Sequence, residues 1–298
     1  MPAKNDPPEP ADLVEDEGWD DMLSALGDAH GGELIVQDGS EEEPAPVSKR
    51  RGGAEPIVRF EGVSKAFGDK VTLDKLDLHV DESETLVIMG PSGTGKSVTL
   101  RHIIRLMEPD AGRVSVWGHD LATLKHKELV ELRKRIGYLF QDGALINWLN
   151  VGDNVALPLR ENTDMPEDEI RARVEEKLAL VHLPGIWEKM PGDLSGGMRK
   201  RVGLARALIT DAELILYDEP NAGLDPETSN AVNHLIRELA DRLKITSIVV
   251  THLQSCVRTV ADRVVLLEAG KLVVNLPTDE FLSTDHPRVR SFLGDDPD

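Results

Sequence analysis

The sequence predicts an α/β fold: a phosphate-binding domain built from alternating strands and helices, with a smaller subdomain attached. Two observations predict it. Residues 90 to 97 read GPSGTGKS between the apolar run TLVIM and the helical stretch SVTLRHIIRLM. That is the strand, loop and helix order which the pattern G-x-x-x-x-G-K-[ST] requires. Further along, LILYDE is an apolar run ending in two carboxylates, Asp218 and Glu219, and a buried strand carries no acid at its end without a reason. A chain of 298 residues is long enough to bury the core of such a fold.

The elements follow in order. Residues 1 to 55 hold 15 acids against 4 Lys or Arg, a net of −11 out of −20 for the chain. With clustered prolines, EEE and KRRGG, this stretch reads as an acidic disordered tail ending in a flexible linker. Within it, WDDMLSALGDA sets Trp19, Leu23 and Leu26 at helical spacing, a short docking helix or simply part of a solvated tail. The folded domain is expected over 56 to 293. Short β-rich segments at 57 to 60 and 76 to 80 precede the phosphate loop, followed by RVSVW, a helix around 126 to 134 and the strand IGYLF. Residues 151 to about 193, with the amphipathic run PEDEIRARVEEKLALV, read as a helical subdomain. Next come the helix of GGMRKRVGLARAL, the strand to Asp218, a long helix over 226 to 243 and the strand TSIVV. DRVVLLEAGKLVVN reads as a hairpin turning at Ala269 and Gly270, and short helices lead to a short acidic end, 294 to 298.

Composition narrows the function classes. An acidic chain argues against nucleic acid as a ligand. The longest apolar runs fall far short of a membrane span, and MPAKNDPPEP is too polar for a secretion signal, so a cytoplasmic location is expected. The single cysteine, Cys256, permits no internal disulfide and is expected to pack in a helix.

The motifs carry the chemistry. Gly90, Gly93 and Gly95 let the backbone fold tightly round an anion, while the helix that follows adds the partial positive charge of its N-terminus. Lys96 is expected on the β and γ phosphates of a nucleotide, and Ser97 offers a hydroxyl to Mg²⁺. Pro91, Ser92, Thr94 and Val98 complete the nucleotide-binding set. Asp218 is placed to hold the Mg²⁺ shell, and Glu219 to polarise an attacking water. LSGGMRKR, with Ser195, Gly196 and Gly197 before a basic helical run, makes a second anion-binding helix start. One chain with one phosphate loop has no need of a second.

At this point the chain resembles the nucleotide-binding subunit of an ATP-binding cassette (ABC) transporter, whose signature is usually LSGGQ, here with Met198 in the last place. The resemblance implies a RecA-like core with an antiparallel β subdomain and an α-helical subdomain. It also implies ATP and Mg²⁺ as ligands and a head-to-tail dimer in which Ser195, Gly196 and Gly197 complete the partner's site. On the family pattern Phe67 stacks on adenine, the alternative being a plain core phenylalanine. Gln141 contacts Mg²⁺ or the attacking water, or is a plain surface residue. Asp225 belongs to the loop that crosses the dimer interface and also starts a helix. His252 is the switch histidine that senses the γ-phosphate; Leu253 stands where the family commonly has an acid.

FQDGALINWLNVGDNVALPLRE, LSGGMRKRVGLARAL and YDEPNAGLDP together resemble the ATPases of the Mla type, which serve phospholipid transport between inner and outer membranes and are also known for toluene tolerance. That implies a peripheral subunit on the cytoplasmic face of the inner membrane. Its partners would be a membrane permease, a periplasmic lipid-binding subunit with a mammalian-cell-entry (MCE) domain and often a small STAS-domain subunit. The alternative is an importer of a small polar solute. The segment ALINWLNV is expected to expose Leu145, Ile146, Trp148 and Leu149 as part of a groove for a cytoplasmic permease helix, or else to fill the helical subdomain.

Overall fold

The computed structural model describes residues 55–293; the acidic tail, its WDDMLSALGDA segment and residues 294 to 298 lie outside them. Two sheets form the frame. The first is antiparallel, in the order β2-β1-β4-β5, from β1 (Val58–Phe67), β2 (Lys70–Val80), β4 (Ala111–Val116) and β5 (His119–Asp120). The second is six-stranded, in the order β10-β9-β3-β8-β7-β6: β3 (Thr85–Met89), β6 (Ile136–Leu139), β7 (Leu214–Asp218), β8 (Thr246–Val250), β9 (Arg263–Glu268) and β10 (Lys271–Pro277). β6, β7, β8, β3 and β9 run parallel, and only β10 is antiparallel to its neighbour.

The unbroken apolar runs become the central strands because both faces of a parallel sheet are covered. Along β3 the side chains alternate between two cores. Leu86 and Ile88 face the antiparallel sheet with Phe60, Leu73 and Leu100, whereas Val87 and Met89 face the helices with Tyr217, Val155 and Leu204. The helices are α1 (Lys96–Ile103), α2 (His126–Lys134), α3 (Val151–Asn162), α4 (Glu167–Leu180), α5 (Gly196–Leu208), α6 (Pro226–Leu243), α7 (Gln254–Val260), α8 (Thr278–Ser283) and α9 (Pro287–Leu293). α6 starts where its signals place it. Asp225 accepts from the Thr228 N–H at 3.0 Å, Pro226 takes the first position, and Val232, Leu235, Ile236 and Leu239 form the buried stripe.

The antiparallel strands outrun the short segments seen in the sequence. β1 continues to Phe67 and pairs with β2 from Lys70, across register shifts between Phe60 and Ala66. The polar residues of SKAFGDK face outward or sit in the turn, and so weaken the apolar signal. The β9–β10 hairpin turns at Ala269 and Gly270, both at positive φ (46° and 79°), as a two-residue turn demands. The Gly270 carbonyl accepts from the Asp74 N–H at 2.9 Å, tying the two sheets together. Among the described residues no helix is long and apolar enough to cross a membrane.

Candidate functional site

Because β3, β6, β7 and β8 are parallel neighbours, the loops after them open on one edge of the sheet. β3 delivers residues 90 to 97, β7 delivers Asp218 and Glu219, β8 delivers His252 and β6 delivers Gln141. The phosphate loop is held by its glycines. Gly90, Gly93 and Gly95 have φ of 151°, 77° and 98°. A Cβ on Gly90 would lie 2.1 Å from the Leu267 carbonyl oxygen, and one on Gly95 2.7 Å from that of Thr72. Ser92 is exposed, and the Thr94 hydroxyl is turned back to donate to the Pro91 carbonyl at 2.9 Å. Val98, the third residue of the helix, packs on the core beneath.

Lys96 is 6% exposed and donates to the carbonyls of Gly90 (3.0 Å) and Pro91 (2.9 Å), with Glu219 Oε1 at 4.0 Å. Burial pushes its ammonium below the ordinary lysine value, against the pull of the Glu219 and Asp218 carboxylates. Two protein carbonyls are a thin substitute for the water that this cation has lost, so the site favours an anion. The Ser97 hydroxyl donates to Asp218 Oδ1 at 2.7 Å, and the Tyr138 hydroxyl donates to Oδ2 at 3.1 Å. Glu219 has the left-handed backbone at φ 47°, its N–H tied to the Val250 carbonyl at 3.0 Å, and its Oε2 lies 2.9 Å from His252 Nδ1. An unusual backbone at a carboxylate beside a buried lysine is strain fixed where charge is handled. Leu253 packs on the core.

The other sequence candidates are distributed differently. Ser195 caps α5, its hydroxyl accepting from the Met198 N–H at 3.2 Å. Gly196 and Gly197 begin that helix, and Gly197 has no room for a side chain: a Cβ there would lie 2.4 Å from Thr228 Cγ2. Thr228 Oγ1 in turn donates to Asp225 Oδ2 at 2.6 Å, and this bond holds the Asp225 carboxyl below the usual carboxylate range. The signature and Asp225 therefore share one surface. Ser195, Gly196 and Gly197 make no hydrogen bond or ion pair with Lys96, Ser97, Asp218, Glu219 or His252 among the described residues. Phe67 stands at the end of β1, 47% exposed, so it is not a core phenylalanine. Its hairpin lies on the phosphate loop, where Lys70 Nζ is 3.7 Å from the Cβ that Gly93 lacks. Gln141 is exposed and makes no hydrogen bond to Ser97 or Asp218. Its loop is fastened to α5 by Arg206, which donates to the carbonyls of Gly143 (3.0 Å) and Ala144 (2.7 Å).

Of the four apolar residues expected to project from ALINWLNV, only Trp148 is exposed, at 81%; Leu145, Ile146 and Leu149 are half-buried. Asn154, buried in α3, explains this. Its Oδ1 accepts from the Ile146 N–H at 2.7 Å and its Nδ2 donates to the Ile146 and Leu149 carbonyls at 3.0 Å, drawing the turn inward. Sequence reasoning also missed Lys70, Tyr138 and Lys200, the last a buried lysine of α5 that reaches the Glu219 carbonyl at 3.4 Å. Only Asn154 left a trace, as a polar residue on the apolar face of a helix.

The model of one protein family, described as ABC transporter, matches residues 73–222, a span that holds the phosphate loop, the LSGGM segment and the acidic pair at the end of β7. The chain belongs to the ABC transporter family. It carries an ABC ATP-binding cassette, and such cassettes are ATPases. The chain is 44% identical over 236 residues to a Mycobacterium tuberculosis protein named "Probable ribonucleotide transport ATP-binding protein mkl", covering 79% of this chain and 66% of that one. It is 41% identical over 237 residues to the intermembrane phospholipid transport system ATP-binding protein MlaF of Haemophilus influenzae, covering 80% of this chain and 90% of MlaF. It is 42% identical over 244 residues to the methionine import ATP-binding protein MetN of Xanthomonas campestris, covering 80% and 72%. Among solved structures, an ATP-binding cassette in a dimeric post-hydrolysis state with ADP and Pi matches with a TM-score of 0.69 at 33% identity, covering 74% of this chain and 99% of that one.

Proposed function

We propose that this chain is the ATP-binding and ATP-hydrolysing subunit of an ABC transporter that drives phospholipid movement between inner and outer membranes, bound peripherally to the cytoplasmic face of the inner membrane. The observation that carries the hydrolytic part is that the adjacent carboxylates Asp218 and Glu219 meet Ser97 at 2.7 Å and Lys96 and His252 at 4.0 and 2.9 Å respectively. Lys96 would hold the β and γ phosphates in a pocket where its charge is weakly screened. Phe67 offers an exposed face to adenine, and the backbone of residues 90 to 97, with Val98 behind it, cradles the phosphates.

The Ser97 hydroxyl and the Asp218 carboxylate, already 2.7 Å apart, are the hard oxygen pair that Mg²⁺ takes beside phosphate oxygens, so the residues fit that ion; Gln141 would reach it from the flanking loop. When bound, Mg²⁺ neutralises charge developing on the phosphates. Glu219 would accept the proton of the attacking water, and His252, hydrogen-bonded to that carboxylate, would fix its direction. Ser195, Gly196 and Gly197 present a capped helix start that, among the described residues, makes no hydrogen bond to this chain's own site. A second copy, packed head to tail with Asp225 at the crossing, supplies what they face.

Resemblance to MlaF over nine-tenths of that protein's length supports phospholipid as the cargo. The partners are then a permease that seats a helix beside Trp148, a periplasmic MCE-domain subunit and a STAS-domain subunit. The ribonucleotide and methionine transport names of the other relatives support the alternative, import of a small polar solute. The test is to purify the chain with its membrane partner and identify the bound molecule by mass spectrometry. Phospholipid retained in molar proportion fits the proposal; a retained nucleotide or amino acid overturns it in favour of the importer.

A further inference from the structure

Lys200 is a buried cation that the chemistry above does not use. It lies four residues beyond Gly196 on α5, so it follows the signature down one face of the same rigid helix. It is 4% exposed, and among the described residues no carboxylate lies within 4.0 Å of its ammonium. Its contact is the backbone carbonyl of Glu219, at 3.4 Å. Three N–H donors with one long partner are poorly satisfied, and burial pushes this ammonium below its ordinary value despite the field of Asp142, Glu219 and Asp218. Asp142 adjoins Gln141, and the Gly143 backbone packs against the Arg199 carbonyl and the Lys200 N–H. One side chain of the signature helix therefore touches the backbone of Glu219 and faces the Gln141 loop.

The carbonyl that it holds matters. Glu219 has its left-handed backbone at φ 47°, and the same carbonyl accepts the Ala222 N–H at 3.0 Å as the chain turns toward Asp225. A cation on that oxygen fixes the peptide plane from which the Glu219 side chain reaches His252.

We propose that Lys200 is a positioning residue that ties the signature helix to the catalytic carboxylate of the same chain, so that occupation of the signature by a partner's nucleotide is transmitted to this chain's own Glu219. The inference rests on the head-to-tail dimer of the proposed function. It makes the two nucleotide sites of the dimer interdependent through a contact inside each chain.

The experiment uses the full chain with Lys200→Met, which keeps the length and removes the charge, and Lys200→Arg, which restores it. Lys200→Met is expected to melt at or above the wild-type temperature, because an under-satisfied buried ammonium has gone. It should bind a fluorescent ATP analogue within twofold of wild type, yet lose tenfold or more in kcat with KM nearly unchanged and show weaker cooperativity in ATP. Lys200→Arg should recover most of the turnover. Wild-type kcat and cooperativity in Lys200→Met would overturn the inference. So would a lower melting temperature with equal losses in binding and turnover that Lys200→Arg does not recover, since that marks a structural lysine. Glu219→Gln with ATP on a sizing column separates the two readings. A chain that stays monomeric overturns the dimer and this inference together; a dimer combined with a fully active Lys200→Met overturns this inference alone.

Discussion

The phosphate loop and the signature each begin a helix, yet they differ in how their residues are partnered within one chain. At the loop, Ser97 is hydrogen-bonded to Asp218, while Glu219 contacts both Lys96 and His252, and Lys96 is deeply buried. At the signature, Ser195 bonds only to the first turn of its own helix, and Gly196 and Gly197 are shaped by packing on Leu224 and Thr228. The first is an anion site in its own right. The second is a helix start whose glycines are fitted to side chains of the same chain. The lesson is that a shared anion-binding device gains its role from what the rest of the chain puts opposite it.

The comparison can be broken at its strong side first. Lys96→Ala removes the buried cation and is expected to abolish tight ATP binding and reduce turnover by about 100-fold or more, as loss of a charge-stabilising donor does. Near-normal steady-state hydrolysis would show that the loop does not act through Lys96. Glu219→Gln keeps shape and loses the base, so turnover should fall by ~100-fold or more while ATP still binds and a dimer accumulates on a sizing column. Hydrolysis at the wild-type rate would remove Glu219 from its role.

The signature side predicts a smaller and different loss. In Gly197→Ala the new methyl meets Thr228, which cannot rotate away without breaking its 2.6 Å bond to Asp225. Overpacking of this kind costs on the order of 1–3 kcal/mol of stability, so the variant should melt below wild type and lose turnover, with nucleotide binding by the single chain unchanged. Equal loss of binding would mean that the two regions are not separable. Cys256 gives the control for folding. Burial pushes its thiol up to about 12, and it should resist alkylation at pH 8 in every variant that keeps the fold, reacting only in denaturant. The smallest effect in solution belongs to Trp148→Ala. A side chain 81% exposed should change stability by no more than about 0.5 kcal/mol and leave ATP binding alone. Its effect should appear as weaker co-purification with the membrane subunit.

The parts of the fold that show in the sequence are those with local signals. The long helix is marked by Asp225, Pro226 and a buried stripe, and the last hairpin by Ala269 and Gly270 between two apolar runs. The extent of the first hairpin is hidden, because its register shifts and outward polar residues disturb the alternation by which a strand is read. At the site, each motif announces residues that act where they stand. Lys200, Tyr138 and Asn154 act on carbonyls or carboxylates 19, 80 and 5 to 8 residues away, and no local pattern states which backbone will lie there. The orientation of Leu145, Ile146 and Leu149 failed for the same reason, since a side chain on the next helix turned their segment inward.

The positions of the loop glycines also determine how this protein would tolerate random change. At Gly90 any side chain would run into the Leu267 carbonyl at 2.1 Å, so an alteration there damages the join between two central strands as well as the loop. At Gly93 the space is open to 3.7 Å and only the left-handed backbone resists substitution. A library sorted for folded protein alone should therefore already be stripped of variants at residue 90 while retaining some at residue 93, and a second sort for catalysis should then empty both.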